Sequence, residues 1–101
     1  MSHLGGSRHH HEIKAAQHIQ RARTQMFRAL DTKICRIQYV YLRAAEHELA
    51  KSSAHLMEIG AAMGKGRHKR LWQAFNKTYE RLRDTGLGFE QHCLVERMRE
   101  R

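Results

Sequence analysis

Apolar residues recur at alternating steps of three and four along two long segments, and this spacing constrains the fold more than any other feature of the chain. Such spacing places the side chains on one face of an α-helix. In the first segment the positions are Leu42, Ala45, Leu49, Ser52, Leu56, Ile59 and Met63, and in the second they are Trp72, Phe75, Tyr79, Leu82, Gly86, Phe89 and Cys93. The spacing predicts an all-α protein.

Helical spacing also precedes the first of these segments, at Ile19, Met26, Leu30, Ile34, Ile37 and Tyr41. The 101 residues include no proline, and nothing between Glu12 and Met63 compels a helix to end before Gly60. We therefore predict one long helix over about residues 12–63. The alternative is a break at the sequence LDTK, where Asp31 would serve as the N-cap.

The sequence GKG at residues 64–66 is the clearest turn. A second helix is predicted over about 67–100, with a possible break at 85–88, where Gly86 is either a helix end or a point of close packing. Residues 1–10 are rich in His, Gly and Ser and are expected to form a flexible tail. Residues 11–101 then form a single domain, which is a long antiparallel helical hairpin or a small three-helix bundle.

Unequal helix lengths lead us to expect a homodimer. At about 1.5 Å per residue, a helix over 12–63 spans about 75 Å and its partner about 50 Å. The shorter helix would leave Ile19, Met26 and Leu30 uncovered. A second subunit packed along the long helix would cover them.

The charge of the chain indicates an anionic partner. Lys and Arg number 19 against 10 Asp and Glu, which gives a formal net charge of +9. The sequence has neither a membrane span nor the apolar segment of a secretory signal. Because Cys35 and Cys93 both fall in helical patterns, we expect reduced thiols and a cytoplasmic location, with association with a nucleoid or nucleus as a variant.

Basic residues concentrate in two places. On a continuous helix, a narrow stripe opposite the apolar face would contain Lys14, Arg21, Arg28, Arg36 and Arg43, with Asp31 as the only acidic residue between its ends. A second group, Lys65, Arg67, Lys69 and Arg70, surrounds the start of the second helix. Cations are unfavourable at a helix N-terminus, and a bound anion would reverse that penalty. We predict these nine residues as the anion-binding site.

No pattern indicates catalysis, a cofactor or a metal centre. The sequence contains no nucleophile–base motif and no phosphate-binding loop with the required spacing. The histidine run RHHHE at residues 8–12 is expected to bind metal only adventitiously, and His92 beside Cys93 has no Cys-x-x-Cys companion. We therefore expect a protein that is not an enzyme, with no cofactor and no metal.

The first functional hypothesis is an accessory or architectural protein that binds DNA or RNA through phosphate contacts. The alternative is a protein-interaction module, such as an adaptor, an assembly or secretion component, or an inhibitor, that docks on an acidic surface of a larger machine. In that case the apolar residues Tyr41, Met57 and Met63 would matter as much as the charges.

Overall fold

The protein forms three helices. A computed structural model describes residues 8–60 and 66–99, with side chains described for 8–60 and 69–94. The helices are α1 (Arg8–Asp31), α2 (Cys35–Glu58) and α3 (Gly66–Arg99), and they form an elongated bundle with principal extents of 54 × 22 × 20 Å. The all-α prediction is confirmed, and of its two architectures the small three-helix bundle is the one observed.

The prediction of one continuous helix over 12–63 is wrong, because the chain reverses direction between α1 and α2. The Thr32 hydroxyl accepts a hydrogen bond from the Ile34 N–H at 3.3 Å. The Ile34 carbonyl then accepts from the N–H groups of Ile37 and Gln38 at 3.0 and 2.9 Å, and this starts α2. Asp31 is the last residue of α1, and the N-cap of α2 is Ile34, which makes no side-chain cap.

Small residues line the contact between α1 and α2. The α1 side of this contact contains Ala15, Ala22 and Ala29, which are 0–2% exposed. Alanines allow two helix axes to approach closely. A continuous helix would leave this face in water, and the reversal buries it against α2 instead.

The predicted apolar face is confirmed from Leu42 to Ile59, since Leu42, Ala45, Leu49, Ser52, Leu56 and Ile59 are all buried, and its last position, Met63, lies outside the described residues. Its central part packs against Met26 of α1 and Leu82 of α3. Toward the other end, Leu56 and Ile59 pack against Trp72 and neighbouring side chains of α3. Of the apolar positions predicted in the segment that forms α1, Ile19 and Met26 are buried, whereas Leu30 is 66% exposed.

Helix α3 runs without interruption through residues 85–88, so the break considered there does not occur. A Cβ atom at Gly86 or Gly88 would meet no heavy atom within 4 Å beyond its own helix backbone. Gly86 is therefore not a point of close helix packing.

The chain reversal removes the reason for expecting a dimer. Ile19 and Met26 are 3% and 5% exposed within a single chain, where the dimer argument required a second subunit to cover them. Of the three residues in that argument, only Leu30 stays exposed.

Two predicted segments fall partly outside the described residues. Arg8, His9 and His10 belong to α1, so a flexible tail over the whole of 1–10 is incorrect, and residues 1–7 lie outside the described part. In the predicted turn over 64–66, Gly66 already begins α3, and residues 64 and 65 lie outside as well.

Candidate functional site

Three predicted cations share one flank of α1. Lys14, Arg21 and Arg28 are spaced seven residues apart, so each is turned only about 20° from the previous one. They span about 21 Å along the helix at 1.5 Å per residue. Arg21 and Arg28 are exposed and Lys14 is half-buried. We call these three residues the α1 basic face.

The contact between Arg23 and Thr78 shows which way the α1 basic face points. The Arg23 Nε donates a hydrogen bond of 3.0 Å to the Thr78 hydroxyl, so this flank of α1 meets α3. Residues two apart on a helix are separated by about 200°. Arg21 therefore lies on the opposite flank, and the α1 basic face points away from α3.

Arg36 and Arg43 are not part of this face, so the predicted continuous stripe of five cations is wrong. Arg36 borders a groove between α2 and α3 that is also lined by Phe89 and Glu90. The Arg43 Nη1 lies 3.1 Å from the Glu46 Oε2. The stripe was drawn on one straight helix, and the reversal at residues 32–34 separates its two halves.

The ion pairs of the described residues leave the α1 basic face unneutralised. Arg43 pairs with Glu46, Lys51 lies 3.7 Å from Glu48, and Arg83 lies 3.7 Å from Asp84. Within the described part of the chain, no carboxylate forms an ion pair with Lys14, Arg21 or Arg28. The positive charge of this face is thus available to an external anion.

The basic group at the start of α3 is partly described. Lys69 and Arg70 are exposed in the first turns of the helix, and that first turn contains no acidic residue. Arg70 borders a shallow pocket with Ile13 and Ala16 of α1, on a different side of α1 from Arg21. Lys65 and the side chain of Arg67 lie outside the described residues. Arg70 therefore does not share a surface with the α1 basic face.

Cys35 and Cys93 form a disulfide, so the prediction of reduced thiols is wrong. The bond joins the first residue of α2 to the last third of α3, with Cα atoms 5.8 Å apart. Helical positions do not prevent pairing when the two helices pack side by side. Because disulfides are typical of oxidising compartments, the cysteines no longer support a cytoplasmic location, which stays a prediction.

Histidines and a glutamate join α1 to α2 beyond the α1 basic face. The Nδ1 atoms of His11 and His55 are 2.9 Å apart, and the His18 Nδ1 lies 2.6 Å from the Glu48 Oε2. His11 and His18 are buried. Burial, followed by the charges of His11, His18, His10 and Lys14, holds the pKa of His55 below its ordinary value of 6.5.

Sequence reasoning missed both the disulfide and this histidine group. The two cysteines are 58 residues apart, and spacing of that kind does not show which helices will be neighbours. His11 and His18 are buried and His55 is half-buried, and the available signal was their spacing along the helices. That these residues meet follows only from the folding of α1 back on α2.

Large apolar side chains are exposed around the reversal between α1 and α2. Phe27, Leu30 and Ile34 are 64%, 66% and 53% exposed. Arg28 and Lys33, also exposed, lie among them in the sequence. A mixed apolar and basic surface of this kind is typical of binding sites for other macromolecules.

The described residues offer neither a membrane-spanning helix nor a metal-binding group. No helix there has the length and apolar character needed to cross a membrane. The same residues contain no group of three or more His, Cys, Asp or Glu side chains placed to hold a metal ion.

No family model matches the sequence, and neither a curated protein nor a solved structure matches it.

Proposed function

We propose that this protein is a non-enzymatic nucleic-acid-binding module that contacts phosphates through the α1 basic face. The observation that carries the proposal is the row of three unneutralised cations on that face. Arg43, Lys51 and Arg83 each have a carboxylate within 3.7 Å, whereas Lys14, Arg21 and Arg28 have none among the described residues. A row of unpaired cations on a rigid helix suits a polyanion with regularly repeated charges.

The dimensions of the face support this choice of ligand. Duplex DNA carries about one charge per 1.7 Å of axis, so the 21 Å span of the face passes about twelve phosphates. Phosphate contacts of this kind position a protein without reading the base sequence. We therefore expect similar affinity for unrelated sequences, and an accessory or architectural role.

The proposal is tested by replacing Arg21 and Arg28 with glutamine. Binding to a short duplex and to a single strand is measured at several salt concentrations. The slope of log affinity against log salt should fall by about 0.7–0.9 for each lost contact. The melting temperature should stay unchanged because both side chains are exposed.

The matched control replaces Arg36 and Arg43 with glutamine. This double variant removes the same net charge from surfaces outside the α1 basic face, so its salt slope should stay close to that of the wild-type protein. Equal losses in both double variants would mean that net charge alone drives binding. Absence of binding by the wild-type protein would overturn the proposal.

A second candidate function, protein binding, is favoured by the exposed side chains of Phe27, Leu30 and Ile34. The partner would present an apolar patch with acidic residues facing Arg28 and Lys33. A second copy of the chain, and hence the predicted homodimer, is one form of this candidate. Met57, named from the sequence for the same role, is 72% exposed, whereas Tyr41 is half-buried against the core.

Light scattering tests the homodimer directly, since a dimer has twice the 11.9 kDa mass of the chain. Leu30→Glu should convert a dimer of this kind to a monomer, and Met57→Glu, on a distant exposed site, should not. A monomeric wild-type protein would exclude the homodimer. The wild-type protein and Leu30→Glu are also used to capture proteins from a nuclease-treated lysate. A protein that binds the wild-type chain but not Leu30→Glu would favour a partner other than a second copy of the chain.

A further inference from the structure

Four histidine rings gather where the first half of α1 packs against the end of α2. The ring of His55 on α2 lies with its centroid 5.2 Å from His11, 5.7 Å from His18 and 6.0 Å from His10. The rings of His18 and His55 are stacked, with an interplanar angle of 13°. We call these four residues the histidine cluster.

The hydrogen bond between His11 and His55 depends on their protonation. Their Nδ1 atoms are 2.9 Å apart, so one nitrogen donates its N–H and the other must be an unprotonated acceptor. If both rings are protonated, two N–H groups face each other and the bond is lost. His11 is only 3% exposed, so a charge on its ring is also poorly hydrated.

One ring nitrogen of His11 lacks a hydrogen-bond partner even when the cluster is neutral. The His11 Nε2 is buried and has no hydrogen-bond partner among the described residues. The Nδ1 contact with His55 is therefore the one hydrogen bond that the structure gives this ring. Its loss would leave the imidazole of His11 buried with both nitrogens unpaired, which favours release of the ring to water.

We propose that the histidine cluster is a pH-sensitive latch, which holds the start of α1 against α2 when neutral and releases it in mild acid. This inference goes beyond nucleic-acid binding and does not depend on it. Release is limited to the residues before Ala15, because the Ala15 carbonyl oxygen accepts a hydrogen bond of 3.0 Å from the Ser52 hydroxyl and, one turn further on, the His18 Nδ1 faces the Glu48 Oε2 at 2.6 Å. A protonated His18 keeps that contact as a charge-assisted hydrogen bond.

Titratable and charged groups from all three helices lie at the end of the bundle that contains His55. Helix α1 contributes His10, His11, His18 and Lys14, and α2 contributes Glu48, Lys51 and Glu58 from its neighbouring turns. The described α3 residues packed at this end are Leu71, Trp72 and Phe75, and the described cations in the first turns of α3 are Lys69 and Arg70. Buried Glu12 of α1 and Arg70 line the same shallow pocket.

The sign of the effect follows from the lowered pKa of His55. Burial and the neighbouring histidines disfavour its charged form in the folded protein, whereas the unfolded chain keeps the ordinary value of 6.5. The unfolded or released state therefore binds more protons than the latched state once the pH falls below about 6.5. The latch is fully closed above that pH and weakens below it.

Amide hydrogen exchange of the full chain tests the latch at about pH 7.5 and about pH 5, on either side of the histidine range. After correction for intrinsic exchange, protection over residues 12–18 should fall by roughly three- to tenfold in acid, as expected for one lost hydrogen bond. Protection over residues 22–29 of the same helix should change less. Equal protection of residues 12–18 at both pH values would overturn the proposal.

Glutamine variants assign the response to the cluster. His55→Gln keeps a side chain that can hydrogen-bond to His11 but cannot titrate, so the acid-dependent loss of protection should disappear. His47→Gln, at an exposed position of α2, should behave as the wild-type protein. A response that persists in His55→Gln would contradict the latch.

A measurement on the wild-type protein keeps the test independent of how the variants fold. The ring proton resonances of His55 should change over the same pH range in which residues 12–18 lose protection, because both report the opening of one contact. A change at His55 that leaves the protection of residues 12–18 unaltered would also overturn the proposal.

Discussion

The Ser52 hydroxyl donates a hydrogen bond of 3.0 Å to the backbone carbonyl oxygen of Ala15, and both residues are 0% exposed. This contact lies between the His11–His55 and His18–Glu48 contacts, so it fixes the antiparallel register of α1 and α2. A longer side chain at either position would push the two helices apart. The contacts of His11 with His55 and of His18 with Glu48 depend on this register.

Replacing Ser52 with alanine should lower the free energy of unfolding by about 1 kcal/mol, the net value of one buried hydrogen bond. Chemical denaturation measures the change. Ser53→Ala is the matched control, because Ser53 is only half-buried and forms no hydrogen bond with the described residues. Equal losses in the two variants would show that the Ser52 contact contributes nothing specific.

Two neighbouring residues of α2 should differ sharply in their effect on stability. Leu56 is 0% exposed and Met57 is 72% exposed. Leu56→Ala should cost about 2–5 kcal/mol through lost burial and the cavity left behind, whereas Met57→Ala should cost less than about 0.5 kcal/mol. Thermal or urea unfolding compares the two. A similar loss of stability in both variants would show that the buried face of α2 does not run through Leu56 as described.

Reduction of the disulfide should destabilise the protein without changing its mass. Cys35 and Cys93 are 58 residues apart in one chain, and closing a loop of that length contributes about 2–4 kcal/mol. We expect a lower melting temperature in reductant, with the same change in Cys93→Ser. Light scattering should give one unchanged mass with and without reductant. A mass that halves on reduction would show that the cysteines link two chains.

Alanine at position 88 should stabilise α3. Gly88 lies inside the helix, is exposed, and has open space around the Cβ position. Gly88→Ala should raise the free energy of unfolding by about 0.5–1 kcal/mol, because glycine loses more backbone entropy in a helix than alanine does. Gln91→Ala, in the same exposed helix segment, should change stability by less than half of this. A loss of stability in Gly88→Ala would show that the position is not open.

Local spacing predicted the helical state and the buried face of α2. The positions from Leu42 to Ile59 repeat at helical steps, and any helix through them places those side chains on one side. This information is contained within a few turns of chain. The prediction of this buried face therefore does not depend on how the rest of the chain folds.

The chain reversal at residues 32–34 could not be read in the same way. The segments before and after it both have helical spacing, and Thr32, Lys33 and Ile34 include no glycine or proline to mark an end. The reversal is favoured because it buries the alanine face of α1 against α2, which is a non-local gain. Local helix propensity does not include the free energy gained by this burial.

The sequence by itself determined that the chain is helical, strongly basic, and apolar along one face of α2. Only the tertiary structure decided that Cys35 meets Cys93, that His11 meets His55, and that Arg21 and Arg36 lie on different surfaces. Each of these depends on which helices become neighbours. That choice is made by burial summed over the whole chain, whereas helical spacing reports only the rotation from one residue to the next.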